Sequence, residues 1–287
     1  PSTLLVRKTA AGLAERVGAE RVGVWHGEAK RDGLVIVACL DSLESLVAEL
    51  EVRGLRVACW IADEAHKTAT RRIQGHLDEL QPITRLGVTA TPFRSRAEES
   101  LYGFDRLLGS YTIDDATADG ALVPMSFGVP ARDYDDADEA TLDLIRLHAP
   151  PGPGVVSAVT IDDAIAYAEY LTEHGVPAQP IHSRMSPDEQ QAAIDALERG
   201  QIRALVHVAM LTEGVDFPWL RWLAMRRPRK AAIGITQEVG RILRVLDPDR
   251  HADHIDRYGP KTQAVILLPH PTPVLESIHA QARIGGD

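Results

Sequence analysis

Asp63 and Glu64 are the residues of this sequence best placed to do chemistry. They come just after an apolar run, Val57 to Ile61, and open the segment Asp63-Glu64-Ala65-His66. A carboxylate pair at the carboxyl end of a buried strand lies where an open parallel α/β sheet binds its ligands. Two carboxylates fixed side by side suit the hydrolysis of a nucleoside triphosphate: one holds a metal that neutralises phosphate charge, and the other orients the attacking water. An Asp-Glu pair after a strand also serves simply as a helix cap, so the rest of the chain has to decide between the two.

Three further clusters bear on that decision. Thr89-Ala90-Thr91-Pro92 ends the next apolar strand, Leu86-Gly87-Val88, where its hydroxyls can reach neighbouring carboxylates; alone it also reads as a strand-ending turn before Pro92. Glu213-Gly214-Val215-Asp216 follows another strand. In Gln237-Glu238-Val239-Gly240-Arg241-Ile242-Leu243-Arg244 the two arginines stand three apart. On a helix they share a face and can point at one anionic group, which planar guanidinium donors bind bidentately. The plainer reading is a solvated basic helix face. Gly240 argues for close approach of a ligand or neighbour, since glycine otherwise costs helix stability.

These residues need elements to hold them. A short strand is expected at Thr3–Val6 and an amphipathic helix at Thr9–Val17 closed by Gly18, then strands at Val22–Trp25, Leu34–Ala38, Val57–Ile61 and Arg85–Val88, with a helix at Ser42–Glu51 stopped by Gly54. From Gly120 to Gly154 the alternation breaks. Pro124, Pro130, an acidic run from Asp133 to Glu139 and Pro150-Pro151-Gly152-Pro153-Gly154 mark a linker or hinge zone with one short helix, Ala140–Leu147. Alternation resumes with strands at Val155–Val159, Ala178–His182, Arg203–Val208 and Ala264–Leu268. Thr160 can cap the helix that follows the first of these, and Ser186-Pro187-Asp188-Glu189 is a capping box with proline in the first turn. Strand and helix alternation with near-continuous apolar strands implies an α/β fold of parallel sheets covered on both faces.

The order and spacing of the four clusters resemble a superfamily 2 helicase, of the DEAH-containing restriction and repair type. The match extends through Tyr111-Thr112-Ile113 and Asp119-Gly120-Ala121-Leu122-Val123-Pro124, which looks like the stretch joining the lobes. The resemblance implies two RecA-like parallel-sheet lobes, residues 1–124 and 125–287, with ATP and Mg²⁺ in the cleft between them. Asp63 would hold the Mg²⁺ through water, Glu64 would be the catalytic base, and His66 would bridge the lobes beside the nucleotide. Thr89 and Thr91 would couple hydrolysis to movement. Gly214, Asp216 and Gln237 would contact nucleotide, and Arg241 and Arg244 would be arginine fingers. Arg7, His182, Ser183, Thr212 and Glu213 would meet nucleic acid. DNA is favoured over RNA as partner, with a nuclease or repair subunit as a further one.

One part of that family's pattern is not in the sequence: Gly-x-x-x-x-Gly-Lys-[Ser/Thr], whose amides and lysine cradle the triphosphate, does not occur, and Gly27-Glu28-Ala29-Lys30 is no substitute. Two expectations follow: a first lobe incomplete at its N-terminus, with Thr3–Val6 as the strand after that loop, or a lobe that binds nucleic acid without turning over ATP. The second makes the chain a helicase-like binding module or partner subunit.

Composition narrows the classes further. The net charge is -10, from 31 basic and 41 acidic residues, so attraction to nucleic acid must come from a local surface. Arg221, Arg226, Arg227, Arg229 and Lys230 with Trp219 and Trp222 form either such a patch or a solvated loop beside a buried tryptophan. No apolar run approaches the roughly 20 residues that span a bilayer, so no membrane partner and a cytoplasmic location are expected. Cys39 and Cys59 read as reduced core thiols, and His251 and His254, with no third ligand at suitable spacing, as surface residues rather than a metal site. Gly-x-Ser-x-Gly is absent, and neither cysteine reads as a nucleophile.

Overall fold

A computed structural model describes residues 3–27, 29–68, 70–89, 104–106, 108–109, 111–208, 217–227 and 232–270. The chain divides into two compact units, Pro1–Leu108 and Gly109–Asp287.

The first unit opens with a helix, α1 (Thr3–Val17), so the strand expected at Thr3–Val6 is instead its first turn. Four apolar or β-branched residues do not by themselves distinguish strand from helix. What decides is the next turn: Val6 and Ala10, four apart, are both buried while Arg7 faces solvent. Gly18, at a φ of 97°, closes the helix. A three-stranded sheet follows, in which β1 (Val22–His26) pairs parallel with β3 (Val35–Ala38) and antiparallel with β2 (Ala29–Arg31). Strand β2 has no apolar pattern to announce it. It is held instead through backbone contact, since a Cβ on Gly23 would lie 2.4 Å from the Arg31 carbonyl oxygen. Helix α2 (Leu43–Val52) buries Leu43, Leu46, Val47 and Leu50, and Trp25 of β1 packs on Leu46 and Leu50 while its indole donates to Ser45 at 2.9 Å.

Strands β4 (Cys59–Asp63) and β5 (Thr84–Val88) form a separate parallel pair joined through helix α3 (Arg71–Leu80). The first unit therefore differs from the single, doubly covered parallel sheet expected: its described strands fall into two sheets, and one strand is antiparallel. Burial in β4 and β5 alternates rather than running continuously, with Ile61 64% and Val88 55% exposed. Cys59 is likewise exposed, unlike the buried Cys39, so only one of the two cysteines is a core thiol.

In the second unit, α4 (Ile113–Ala118) begins at a capping box in which Thr112 accepts from the Asp115 amide and the Asp115 carboxylate accepts from the Thr112 amide. The strands β6 (Met125–Gly128), β7 (Gly154–Ser157), β8 (Ala178–Ile181), β9 (Ala204–His207), β10 (Trp222–Ala224) and β11 (Ala264–Leu267) form one parallel sheet in the order β6-β11-β10-β7-β9-β8. Helices α5 (Ala137–His148), α6 (Ile161–Glu173), α7 (Pro187–Glu198), α8 (Ala232–Ile242) and α9 (Ala252–Tyr258) complete it. Alternate strand residues point to opposite faces. Val155, Leu205, Leu223 and Ile266 enter one core cluster, and Val156, Val206, Trp222 and Val265 enter the other.

The residues read as a hinge belong to this core. Strand β6 is an edge of the sheet, and α5 buries Leu142, Leu144 and Ile145. Gly152 and Gly154 are packed rather than loose: the Trp222 indole donates to the Gly152 carbonyl at 3.1 Å, and a Cβ on Gly154 would sit 2.0 Å from the indole ring. Val123 also belongs here, donating its amide to the Leu243 carbonyl at 2.7 Å. No helix among the described residues is long and apolar enough to cross a membrane.

Candidate functional site

The carboxyl ends of β4 and β5 bring four of the singled-out residues together. Parallel register sets Asp63 opposite Val88, so Glu64 and Thr89 emerge side by side just beyond the strands. Close passage is possible because β5 carries Gly87, where a Cβ would lie 2.8 Å from the Ala65 methyl and 2.6 Å from the Phe104 ring. The chain turns at Glu64, which holds a left-handed conformation with φ 53° and ψ 51°, and continues into a single turn of 3₁₀ helix, Ala65–Lys67. For a residue with a Cβ that conformation costs roughly 1–2 kcal/mol.

Several local bonds hold the turn. The Asp63 carboxylate accepts from the Glu64 amide at 2.9 Å, the Glu64 carbonyl accepts from the Lys67 amide at 2.8 Å, and the buried Thr68 hydroxyl donates to the Ala65 carbonyl at 2.7 Å. His66, 8% exposed, presents Nδ1 at 2.9 Å from the Thr89 hydroxyl and 3.4 Å from the Glu64 carboxylate. One imidazole nitrogen thus bridges the carboxylate segment and the end of β5. The Thr89 hydroxyl, expected to reach carboxylates or loops, meets this histidine.

Among the described residues no group of three or more His, Cys, Asp or Glu could hold a metal ion. Mg²⁺ carried in with phosphates needs only one or two protein carboxylates, the remaining oxygens coming from phosphate and water. Asp63 and Glu64 are hard oxygen donors in that number, so the residues present fit such an ion.

In the second unit Gln237 and Arg241 lie half-buried on α8, Arg241 in its last turn. The helix ends at Ile242, Leu243 turns, and the exposed Arg244 forms an isolated antiparallel bridge with Leu122. Arg244 therefore lies beyond the helix and shares no helical face with Arg241, its backbone being set by the bridge. At Gly240 a Cβ would meet no heavy atom within 4 Å, so the close approach of a neighbour expected there is not what requires glycine. His182 and Ser183 follow β8 as expected. Ser183 is exposed, and the His182 carbonyl accepts from the Gln190 side chain at 3.2 Å. Thr91, Thr212, Glu213, Gly214 and Asp216 lie outside the described residues, as do Arg229 and Lys230.

Of the basic and aromatic patch, Arg221, Arg226, Trp219 and Trp222 are buried, and Arg227 is partly exposed. Arg226 is 2% exposed, stacks 4.0 Å above the Tyr167 ring, and donates to Asp138 at 2.6 Å and Asp163 at 2.8 Å. Arg227 lies 3.3 Å from Asp163. Burial pushes the Asp163 carboxyl up, but hydrogen bonds from Arg226 and the Val159 amide outweigh it and bring it down to about 2. Arg221 is buried as well, and Trp219 stacks on His254 at 5.5 Å, so His254 is a core residue and not the surface residue expected.

The sequence matches two family models, "SWI2/SNF2 ATPase" over residues 30–145 and "Helicase conserved C-terminal domain" over residues 137–246. Among curated relatives, "Putative helicase 22" of Sulfolobus islandicus filamentous virus is 27% identical over 234 residues, covering 68% of this chain and 41% of that protein. UvrABC system protein B of Edwardsiella ictaluri is 29% identical over 177 residues, covering 59% of this chain and 25% of that protein. The chain thus spans well under half the length of either relative. Among solved structures, S. cerevisiae Dbp5 bound to RNA and ADP BeF3 superposes with a TM-score of 0.57 at 15% identity, covering 100% of this chain and 74% of that one. The ATP-dependent Type ISP restriction-modification enzyme LlaBIII bound to DNA gives 0.58 at 16% identity, covering 98% of this chain and 23% of that one. These likenesses show a RecA-like α/β fold, and the two family matches, which overlap at residues 137–145 and together span residues 30–246, support a superfamily 2 helicase.

Proposed function

We propose that this chain is the motor part of an ATP-dependent nucleic-acid helicase or translocase that acts on DNA. The observation that carries the reading is the juxtaposition of Asp63, Glu64, His66 and Thr89 at the carboxyl ends of β4 and β5. Glu64 orients the attacking water and takes its proton. Asp63 would hold Mg²⁺, and the bound ion would supply charge neutralisation on the phosphates. His66 links the carboxylate segment to Thr89, so a change at one strand end is felt at the other. In the second unit Gln237, Arg241 and Arg244 contact nucleotide, the arginines meeting charge that spreads over the γ-phosphoryl oxygens. Gly214 and Asp216 join them at the nucleotide, Thr91 acts with Thr89, and Arg7, His182, Ser183, Thr212 and Glu213 meet the nucleic-acid backbone. Support for DNA comes from the DNA-bound restriction enzyme whose fold matches 98% of the chain. A nuclease or repair subunit is the fitting partner for such a motor.

The test is ATP hydrolysis with and without single- and double-stranded DNA, beside a Glu64→Gln control. DNA-stimulated turnover that falls by about 10²-fold or more in the control, with nucleotide binding retained, is the expected result. Turnover unchanged by Glu64→Gln would sink the assignment. A second reading rests on the sequence lacking Gly-x-x-x-x-Gly-Lys-[Ser/Thr]: a helicase-like binding module without a motor. It is favoured by salt-sensitive DNA binding that is indifferent to ATP analogues.

A further inference from the structure

Lys261 lies between α9 and β11 and is 8% exposed. No carboxylate among the described residues pairs with it. Its ammonium instead donates to two backbone carbonyls, Pro218 at 2.7 Å and Arg244 at 2.8 Å. Burying an amine without a counter-charge is costly, and here desolvation, helped by the nearby Arg221 guanidinium, pushes it down to about 7. An amine in either protonation state still has N–H groups for both carbonyls, so the two contacts do not depend on its charge.

The two carbonyls belong to different segments. Pro218 closely follows residues 209–216, which carry Glu213, Gly214 and Asp216, and Arg244 is the outer arginine of the α8 cluster. The backbone around Arg244 is held on both sides, since the Val123 amide donates to the Leu243 carbonyl at 2.7 Å and Lys261 caps the next carbonyl. Arg244 itself is exposed on this fixed stretch. Without Lys261 the Arg244 carbonyl would lose a bond just beyond a helix end, where carbonyls lack intrahelical partners.

We propose that Lys261 is a positioning residue for Arg244: by gripping the Arg244 and Pro218 carbonyls together, it fixes the backbone of the outer arginine against that of Pro218. The proposal rests on the reading of Arg244 as a nucleotide-side residue. Lys261 touches neither nucleotide nor nucleic acid. It acts only through the backbone it holds, so its loss affects the placement of the guanidinium and not its presence.

The test compares Lys261→Met, which keeps length and removes both donors, with Lys261→Gln, whose amide restores two, each alone and combined with Arg244→Ala. In DNA-stimulated ATP hydrolysis, Lys261→Met lowers kcat by about tenfold or more, the scale of a misplaced catalytic group. KM for ATP moves by less than about threefold, since the arginine acts chiefly in the transition state. Lys261→Gln recovers most of the loss, and Lys261→Met adds nothing once Arg244 is alanine. An equal loss from Lys261→Met with or without the Arg244 guanidinium overturns the proposal. So does failure of Lys261→Gln to recover kcat while its melting temperature matches the unsubstituted chain.

If the unsubstituted chain shows no turnover, the motor reading fails by itself, and hydrogen exchange then decides for Lys261. Faster exchange in Lys261→Met confined to the amides of Phe217, Trp219 and Leu220, those at 243–246 and that of Val123, and reversed in Lys261→Gln, supports the brace. Exchange unchanged there overturns it.

Discussion

The two units solve the same packing problem with different margins. In the second, β7, β9, β10 and β11 are buried at every position, and side chains from alternate faces feed two core clusters. In the first, β4 and β5 expose every other residue, and the described strands fall into two small sheets. Apolar burial contributes about 25 cal/mol per Å², so the second unit has the larger reserve of stability. The carboxylates of the candidate site stand on the thinner unit and the arginines on the thicker one. Strain shows the same contrast: the first unit carries Glu64 in a left-handed conformation, while the second spends its polar interactions on closing a buried ion-pair cluster at Arg226. Local stability follows burial and contact density, so unfolding in urea should show two transitions, with the first unit going first.

The largest effect expected on that pattern comes from Arg226→Ala. It leaves Asp138 and Asp163 without their shared guanidinium, and breaking a buried ionic cluster costs about 3–5 kcal/mol. The loss should appear in the second transition alone, and a matching shift of the first would break the comparison.

Acid acts on the same cluster. Asp163 is held at about 2, below its ordinary 3.8, so the folded state binds its proton less readily than the unfolded chain does. Its contribution is therefore complete above pH 3.8 and is lost as the pH falls through about 2. The second transition should weaken across that window by more in the unsubstituted chain than in Asp163→Asn, as read from urea midpoints at successive pH values.

Glu64→Gly removes the Cβ penalty of the left-handed turn and should raise the first transition by about 1 kcal/mol while abolishing turnover. Stabilisation with loss of activity would mark Glu64 as a residue kept for chemistry at the expense of the fold. No change in either would place it among ordinary turn residues.

The smallest effect expected is at Gly240. An added Cβ meets open space, so Gly240→Ala should raise the second transition by about 0.5–1 kcal/mol through helix propensity. If turnover falls while stability rises, a ligand approaches that face of α8, and the close approach inferred from sequence is to the ligand rather than to protein.

What the sequence by itself determined is what a few neighbouring residues decide. Thr160 and Ser186 cap α6 and α7 as their spacing implies, because a cap is a bond across three residues. The apolar runs at Arg203–Val208 and Ala264–Leu268 contain strands β9 and β11, and the carboxylate pair lies at the carboxyl end of β4, Asp63 being its last residue and Glu64 the next, although β4 begins and ends two residues later than the apolar run Val57–Ile61. The four clusters and their order were enough to read the family, although Thr91, Thr212, Glu213, Gly214 and Asp216 are outside the described residues.

Tertiary structure alone decided which charged and aromatic residues lie inside. Arg226 looks like part of an exposed basic patch until partners 88 and 63 residues away close around it, and burial is affordable only when such partners arrive. Lys261 belongs to no motif, because the two carbonyls it holds lie 43 and 17 residues distant. Arg244 leaves the helix that its spacing suggested because Leu122 pairs with its backbone. Glu64 takes a backbone conformation that no residue preference announces, held by the Lys67 amide and by a histidine bridge to the neighbouring strand. Propensity and capping act over a turn or two of chain, whereas the free energy of a buried charge is set by groups that only the folded chain brings together.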